Sequence, residues 1–434
     1  MTRRPDTDRT FTVEALARVE GEGAMHVVIR DGRVQLVQLR IYEPPRFFEA
    51  FLRGRAYTEP PDITARICGI CPVAYQMSAC NAIEAACGIT VDGMLGDLRR
   101  LLYCGEWIES HTLHIYLLHA PDFLGYDGAI ELASAHRALV QRGLDLKKIG
   151  NQLVDLLGGR AIHPVNIRIG GFYRVPTEAE LQAFRPRLEH ARDLALETVR
   201  WVAGFDFPDH QWHGELAALR HPGEYPITRG RLVSTMGLDI GPEEFDQQVV
   251  EEHVEHSTAL HARILERGEY LLGPLARFAL NCDDLTPLAR DAATAAGLSS
   301  DERNPFRSIV VRAVEVLHAC DEGLAIIDRY REPDHPAVDV QPRAGVGHGW
   351  SEAPRGMLLH RYELDDEGTI LAARIVPPTS QNQAGIERDL FHFVEENLDL
   401  VDDELGHRAE QVIRSYDPCI SCATHFLDLT VDRS

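Results

Sequence analysis

Apolar residues recur at intervals of three and four through 97–120 (DLRRLLYCGEWIESHTLHIYLLHA), 131–157 and 177–203, the period of one helix face, and they predict three long helices. The same period, read through 243–272, predicts a fourth. Alternation takes over in two places. Residues 24–43 predict two strands around Asp31-Gly32, a strong hairpin turn pair, and 358–378 predict a second hairpin turning at Asp365 to Gly368. The polar runs 281–305 and 332–349 read as loop excursions. The pattern predicts a mainly α (α+β) fold, a large helical bundle with small β-hairpins near both ends of the chain. No repeat, low-complexity tract or separating linker interrupts it.

Composition narrows the function. With 44 Lys+Arg against 67 Asp+Glu the formal charge is −23, which disfavours nucleic acid and anionic membrane surfaces as partners. The 44% hydrophobic fraction excludes disorder for the bulk of the 434 residues. No apolar run is long enough to predict a membrane span. The start, MTRRPDTDRTFTV, has two arginines and no apolar core behind them, so no secretory signal is expected and the cytoplasm is the expected location. There the nine cysteines are expected to bind metal or stay inert rather than bridge.

Four of the nine form two CxxC pairs, Cys68/Cys71 in RICGICP and Cys419/Cys422 in DPCISCATH. Both pairs read as helix starts, one before Pro72 and one with Asp417 as N-cap and Pro418 in the first turn, where the positive helix end favours the metal-binding thiolate. Spacing alone leaves a structural tetrathiolate zinc site open. The pairs stand 351 residues apart, however, unlike a zinc ribbon closed by a short loop. A buried cofactor joining both ends of the chain explains that separation better.

Arg-x-Cys-Gly-x-Cys near the start and Asp-Pro-Cys-x-x-Cys-x-x-His at the end resemble the two nickel-binding signatures of the large, catalytic subunit of NiFe hydrogenases. RICGICPVAYQMSA (66–79) and RVEGEG (18–23) resemble the cytoplasmic, NAD(P)-linked branch that includes the sulfhydrogenases. The resemblance implies that Cys68, Cys71, Cys419 and Cys422 bind nickel, with Cys71 and Cys422 also bridging to an iron that carries carbon monoxide and cyanide. Soft thiolates suit such metals, which would polarise dihydrogen for heterolytic cleavage. The resemblance makes Glu20, in Arg18-Val19-Glu20-Gly21, the proton relay, and Arg355, in EAPRG, the cation over the metals. Thr379, in PTSQN, becomes a hydroxyl donor to a cyanide; Gln381 stands where the family has tryptophan. Glu49, the Ile375 carbonyl and His425 would hold magnesium, which prefers oxygen ligands.

His111, His114 and Asp122, within and after WIESHTLHIYLLHAPD, are expected to support the site from behind the ligands. Arg160 and His163 are expected to orient buried groups or to face a partner. Cys80, Cys87, Cys104, Cys282 and Cys320 lack paired spacing and read as core residues. Tyr75 stands where many relatives carry a histidine.

No further cysteine cluster, dinucleotide fingerprint or phosphate loop is present, so no iron–sulfur cluster or flavin is expected in this chain. The two electrons of dihydrogen then require an iron–sulfur small subunit, with flavin- and NAD(P)-binding subunits of diaphorase type beyond it. The alternative is a hydrogen-sensing subunit carrying the same metals. The resemblance further implies a single domain, 1–425, and a C-terminal extension, 426–434, removed after His425 by a maturation endopeptidase.

Overall fold

The structure, a computed structural model, describes residues 8–424; the predicted magnesium ligand His425 and the extension after it lie outside the described residues. Strands β1 (Arg9–Val13), β2 (Gly23–Arg30) and β3 (Arg33–Ile41) form an antiparallel sheet in chain order. Asp31 and Gly32 take φ of 51° and 67°, as a two-residue hairpin turn requires, so the first predicted hairpin is present. β2 buries Met25, Val27 and Ile29 from its inner face.

Helix α1 (Pro72–Cys87) is buried on almost every side. Its small residues allow close approach by a later sheet of β10 (Gly345–Ala353), β11 (Gly356–Leu364) and β12 (Ile370–Val376), the last two forming the second predicted hairpin. Helices α2 (Gly93–Leu113), α3 (Arg137–Gly158), α4 (Glu178–Val202) and α5 (Ser308–Arg329) make the bundle, α2 lying on α3 and α5, and α4 on α5. α4 starts at a full capping box, Thr177 with Glu180. α2 runs into a π-helical turn, His114–His119, and a short helix Ala120–Leu124. Helices α6 (Pro378–Glu396) and α7 (Asp402–Ser415) lead to the end of the described chain. No helix among the described residues is long and apolar enough to cross a membrane.

Two expectations fail. Residues 243–272 are not a long helix: after short helical turns they form the hairpin of β7 (Val249–Val254) and β8 (Ser257–Ile264). Burial there alternates, with Ser257, Ala259 and His261 inward and Thr258 and Leu260 partly out, so the period is two. With β4 (Glu215–Arg220), β5 (Arg231–Ser234), β6 (Asp239–Ile240) and β9 (Tyr270–Leu271), which form a mixed sheet, this puts β-structure mid-chain as well as near both ends. The run 281–305 also contains a helix, Pro287–Ala295, whose Ala289, Ala292 and Ala293 face the core.

Candidate metal centre

Cys68 follows a single 3-10 turn, Ala65–Ile67, in extended conformation, and Cys71 caps α1. Pro72 at the first helical position lacks an N–H that would otherwise need a partner. The next two amides, of Val73 and Ala74, donate to the Glu106 carboxylate at 2.6 and 3.1 Å. Glu106 comes from α2, so the bundle itself fixes the helix end that presents Cys71. Burial pushes the Glu106 carboxyl well up against these two hydrogen bonds.

At the other end, the helix after α7 begins only at Ile420, with Cys419 as its cap. Asp417 is therefore not the N-cap. It takes φ of 52°, and its carboxylate and carbonyl are both used by Arg355. The Cys419 amide donates to Thr379 Oγ1 at 3.1 Å and the Ile420 amide to the Glu20 carbonyl at 3.0 Å.

The four sulfurs lie within 4.8 Å of one another, all buried. Cys68 and Cys419 are 3.5 Å apart, Cys71 and Cys422 3.6 Å, and Cys419 and Cys422 2.7 Å. Burial pushes the Cys419 and Cys422 thiols up, while hydrogen bonds from its neighbours, Cys419 foremost, hold Cys68 down. Cys71 is also pushed up, chiefly by the thiols around it and against hydrogen bonding from Cys419. Four thiolates in one buried cluster need a cation. Cys71, Cys419 and Cys422 line a small enclosed cavity with Tyr75, Arg355, Leu358 and Thr379.

Glu20 Oε2 accepts from the Cys419 thiol at 3.2 Å and from the Ser421 amide at 3.1 Å. Arg355 donates from Nε to the Asp417 carbonyl and from Nη2 to its carboxylate at 2.8 and 3.2 Å; buried Nη1 has no partner among the described residues. Glu49 Oε1 accepts from the Ile375 amide at 2.7 Å, and burial pushes its carboxyl up to about 7. Three residues before it, the Arg46 amide donates to the Thr424 carbonyl at 2.8 Å, which brings the end of the described chain beside Glu49.

The two histidines and Asp122 stand further back. His111 Nε2 is 2.9 Å from Glu315, His114 Nε2 is 2.8 Å from the Arg414 carbonyl, and Asp122 joins Arg18 to Arg414. His163 Nδ1 lies 2.7 Å from the Ala65 carbonyl, and Arg160 donates to the His163 carbonyl. Cys80, Cys87, Cys104 and Cys320 are buried, Cys282 half-buried, and all five are free.

Sequence comparison now fits this geometry. The nickel-dependent hydrogenase family matches residues 46–142 and 310–425, which include both cysteine pairs. Sulfhydrogenase 1 subunit alpha of Pyrococcus furiosus is 32% identical over 96% of this chain and 98% of its own. The chain belongs to the nickel-dependent hydrogenases. It is a large, catalytic subunit. The beta subunit of the NAD-reducing hydrogenase HoxS of Cupriavidus necator is 28% identical over 96% of this chain and 95% of its own. Among solved structures, an NAD+-reducing [NiFe]-hydrogenase in the H2-reduced state superposes with a TM-score of 0.86 at 27% identity, covering 97% of this chain and all of that one. The Ni-Fe-Se hydrogenase of Desulfomicrobium baculatum shares the fold, with a TM-score of 0.79 over 96% of this chain and all of that one at 21% identity.

Tyr75 and Gln381, which depart from the family motifs that the sequence resembles, are both accommodated. The Tyr75 ring packs on His360, 5.7 Å between centroids, and its hydroxyl donates to the Cys422 carbonyl at 3.4 Å. Gln381 is buried with its amide satisfied by Tyr270 and the Met357 carbonyl, so no tryptophan-sized hole is left. Sequence reasoning missed Glu106 and missed Asp417 as partner of Arg355. Motif spacing carries no signal for either, since each acts through a contact distant in sequence.

Proposed function

We propose that Cys68, Cys71, Cys419 and Cys422 would hold nickel as thiolates, and that Cys71 and Cys422 would also hold an iron bearing carbon monoxide and cyanide. The donor set fits: four buried sulfurs in one cluster beside a guanidinium nitrogen without a partner among the described residues. The observation that carries the reading is the convergence of two sequence-distant cysteine pairs in one buried cluster, with a carboxylate 3.2 Å from the Cys419 sulfur. Bound there, the metals supply Lewis-acid and redox chemistry that splits dihydrogen and takes up its two electrons.

The chain's own groups do the rest. Glu20 Oε2 accepts the proton from the Cys419 sulfur, and the Ser421 amide on the same oxygen holds the carboxylate in line. The Ser421 hydroxyl donates to half-buried Glu43 Oε2 at 3.1 Å, which sets a second carboxylate on the outer side of the residue that holds Glu20. Arg355 Nη1 and the Thr379 hydroxyl serve the cyanides; the Thr379 oxygen accepts the Cys419 amide, so its own proton is available. The closed walls of Tyr75, Leu358 and Pro378 exclude bulk water.

Magnesium is assigned to Glu49, the Ile375 carbonyl and His425. An N–H and C=O of one strand residue leave by the same edge, so Glu49 on the Ile375 amide is also beside its carbonyl. Electrons pass to an iron–sulfur small subunit and on through diaphorase-type subunits to NAD(P), in the cytoplasm. Residues 1–425 form one working unit, and the extension 426–434 is cleaved by an endopeptidase after nickel insertion.

The deciding experiment quantifies nickel and hydrogen-driven NAD(P) reduction in the purified complex. Expected are one nickel per large subunit and a chain ending at His425 by mass spectrometry. Zinc in place of nickel would overturn the metal assignment, and a chain ending at Ser434 with full nickel would overturn the processing.

A further inference from the structure

We propose a second metal site, built from His256, His261 and Glu387, that takes one divalent cation of the zinc class and clamps the β7–β8 hairpin to α6. One ligand atom from each residue lies within 4.8 Å of the others. His256 Nε2 is 2.7 Å from Glu387 Oε1, His261 Nδ1 is 3.8 Å from Oε2, and the two imidazole rings are 5.5 Å apart and nearly perpendicular. Metal–nitrogen and metal–oxygen bonds of about 2.0–2.2 Å set neighbouring ligands of a tetrahedral ion roughly 3.3–3.5 Å apart. The two distances bracket that value, so small side-chain rotations close the site.

The backbone is arranged to bring the three together. Residues five apart on a regular strand face opposite ways. Here His256 lies in the hairpin turn, and a register shift between Ser257 and His261 re-aims the strand, so both imidazoles meet the same carboxylate on α6. The Leu39 amide of β3 donates to Glu387 Oε1 at 2.8 Å and holds it towards the histidines, the support from behind that ligating carboxylates ordinarily have.

His261 supplies the independent observation. It is 2% exposed, and its Nδ1 faces Glu387 Oε2 at 3.8 Å, beyond hydrogen-bonding distance. A metal at Nδ1 would give that nitrogen the close partner that the Glu387 oxygen at 3.8 Å does not. Burial, with His256 and Arg263 beside it, pushes this imidazole down to about 4, which leaves it neutral and its lone pair available. Two nitrogens and one carboxylate select a zinc-like ion over magnesium or calcium, whose ligands are all oxygen, and leave a fourth position for water.

The test uses the purified multisubunit complex, stripped with a chelator and dialysed against zinc chloride buffered by a competing chelator. Zinc is then counted by elemental mass spectrometry. Wild type is expected to hold one zinc per large subunit more than His256→Asn/His261→Asn, and Glu387→Gln to weaken binding by about 10-fold or more. Zinc is further expected to raise the thermal midpoint of wild type but not of the double variant. If the double variant does not fold, His256→Ala, changed at a half-buried turn position, is to be compared in the same way. Equal zinc content in wild type and a folded variant would overturn the site.

Discussion

At Arg355 one guanidinium divides its donors between structure and chemistry. Nε and Nη2 hold Asp417 in its left-handed backbone conformation, and Nη1 is left for the cavity. A lysine keeps the charge but cannot serve both ends of that fork. Arg355→Lys is expected to retain nickel and to lower hydrogen turnover by about 10²-fold, the cost of removing one oriented donor; turnover within about two-fold of wild type would show that the unpaired nitrogen is idle. Glu20→Gln keeps the amide contact to Ser421 but cannot take a proton from the thiol. Turnover is expected to fall by about 10²–10⁴-fold with nickel content unchanged, and exchange of deuterium between gas and solvent to fall with it. Glu20, Arg355 and the cysteines were legible in the sequence because each sits in a short motif. Asp417 and Glu106 were not, because their partners are 62 and 33 residues away and no local pattern records such a contact.

Among the elements, α1 and β10 show what packing demands of sequence. A Cβ on Gly349 would fall 2.2 Å from the Ala82 amide nitrogen, and one on Gly347 2.0 Å from the Ala82 carbonyl oxygen. Both obstacles are backbone, so neither can swing aside. Gly349→Ala is expected to destabilise by about 1–3 kcal/mol and, by displacing the helix that presents Cys71, to lower nickel occupancy; unfolding midpoints and nickel counts check it. The short helix after the π turn carries Asp122, whose buried side chain meets Arg414 at 2.8 Å and also pairs with Arg18. Burial pushes its carboxyl up, but Arg414, His119 and Arg18 pull it further down, so the folded value is depressed. The stability this contributes is present above the unfolded value of about 3.9 and lost as the pH falls through the folded value. Asp122→Asn, which removes the nearer carboxylate of buried Arg414 and leaves it Glu410 at 3.6 Å, is expected to cost about 3 kcal/mol at pH 7. Denaturant midpoints should converge with wild type only below about pH 4; a difference constant down to pH 2 would remove the charge explanation. Helices with one clear apolar stripe, such as α4, were legible at this scale. The β7–β8 hairpin was not, since mixed apolar and charged residues over 243–272 satisfy a period of 3.6 until the alternate burial of Ser257, Ala259 and His261 is seen.

For the molecule as a whole, the site exists only where the two ends of the chain meet. Periodicity could predict the bundle and the two hairpins, but closure across 351 residues has no periodic signal. It was legible only through paired motifs that resembled a known family. The structure shows which bonds effect that closure. The segment 419–422 is held through the Cys419 amide on Thr379, the Ile420 and Ser421 amides on Glu20, the Ser421 hydroxyl on Glu43, and Arg46 and Tyr75 on the Ser421 and Cys422 carbonyls. The core of α2 and α5, by contrast, is buried along most of its length and is anchored by Arg277 between Glu315 and Glu352. Binding to the folded form alone stabilises in proportion to the logarithm of ligand over dissociation constant, and here every such ligand bond falls on the closing segment and its mate at Cys68 and Cys71. Loss of nickel should therefore act locally. Amide exchange at Cys419, Ile420, Ser421 and Cys422 is expected to quicken by about 10-fold or more in metal-free chain, while amides of α5 between Ile309 and Cys320 keep their rates. Hydrogen exchange read by mass spectrometry on metal-loaded and metal-free protein separates the two cases. A uniform rise across both regions would mean that the metals hold the whole fold together, and that the bundle does not stand ready for them.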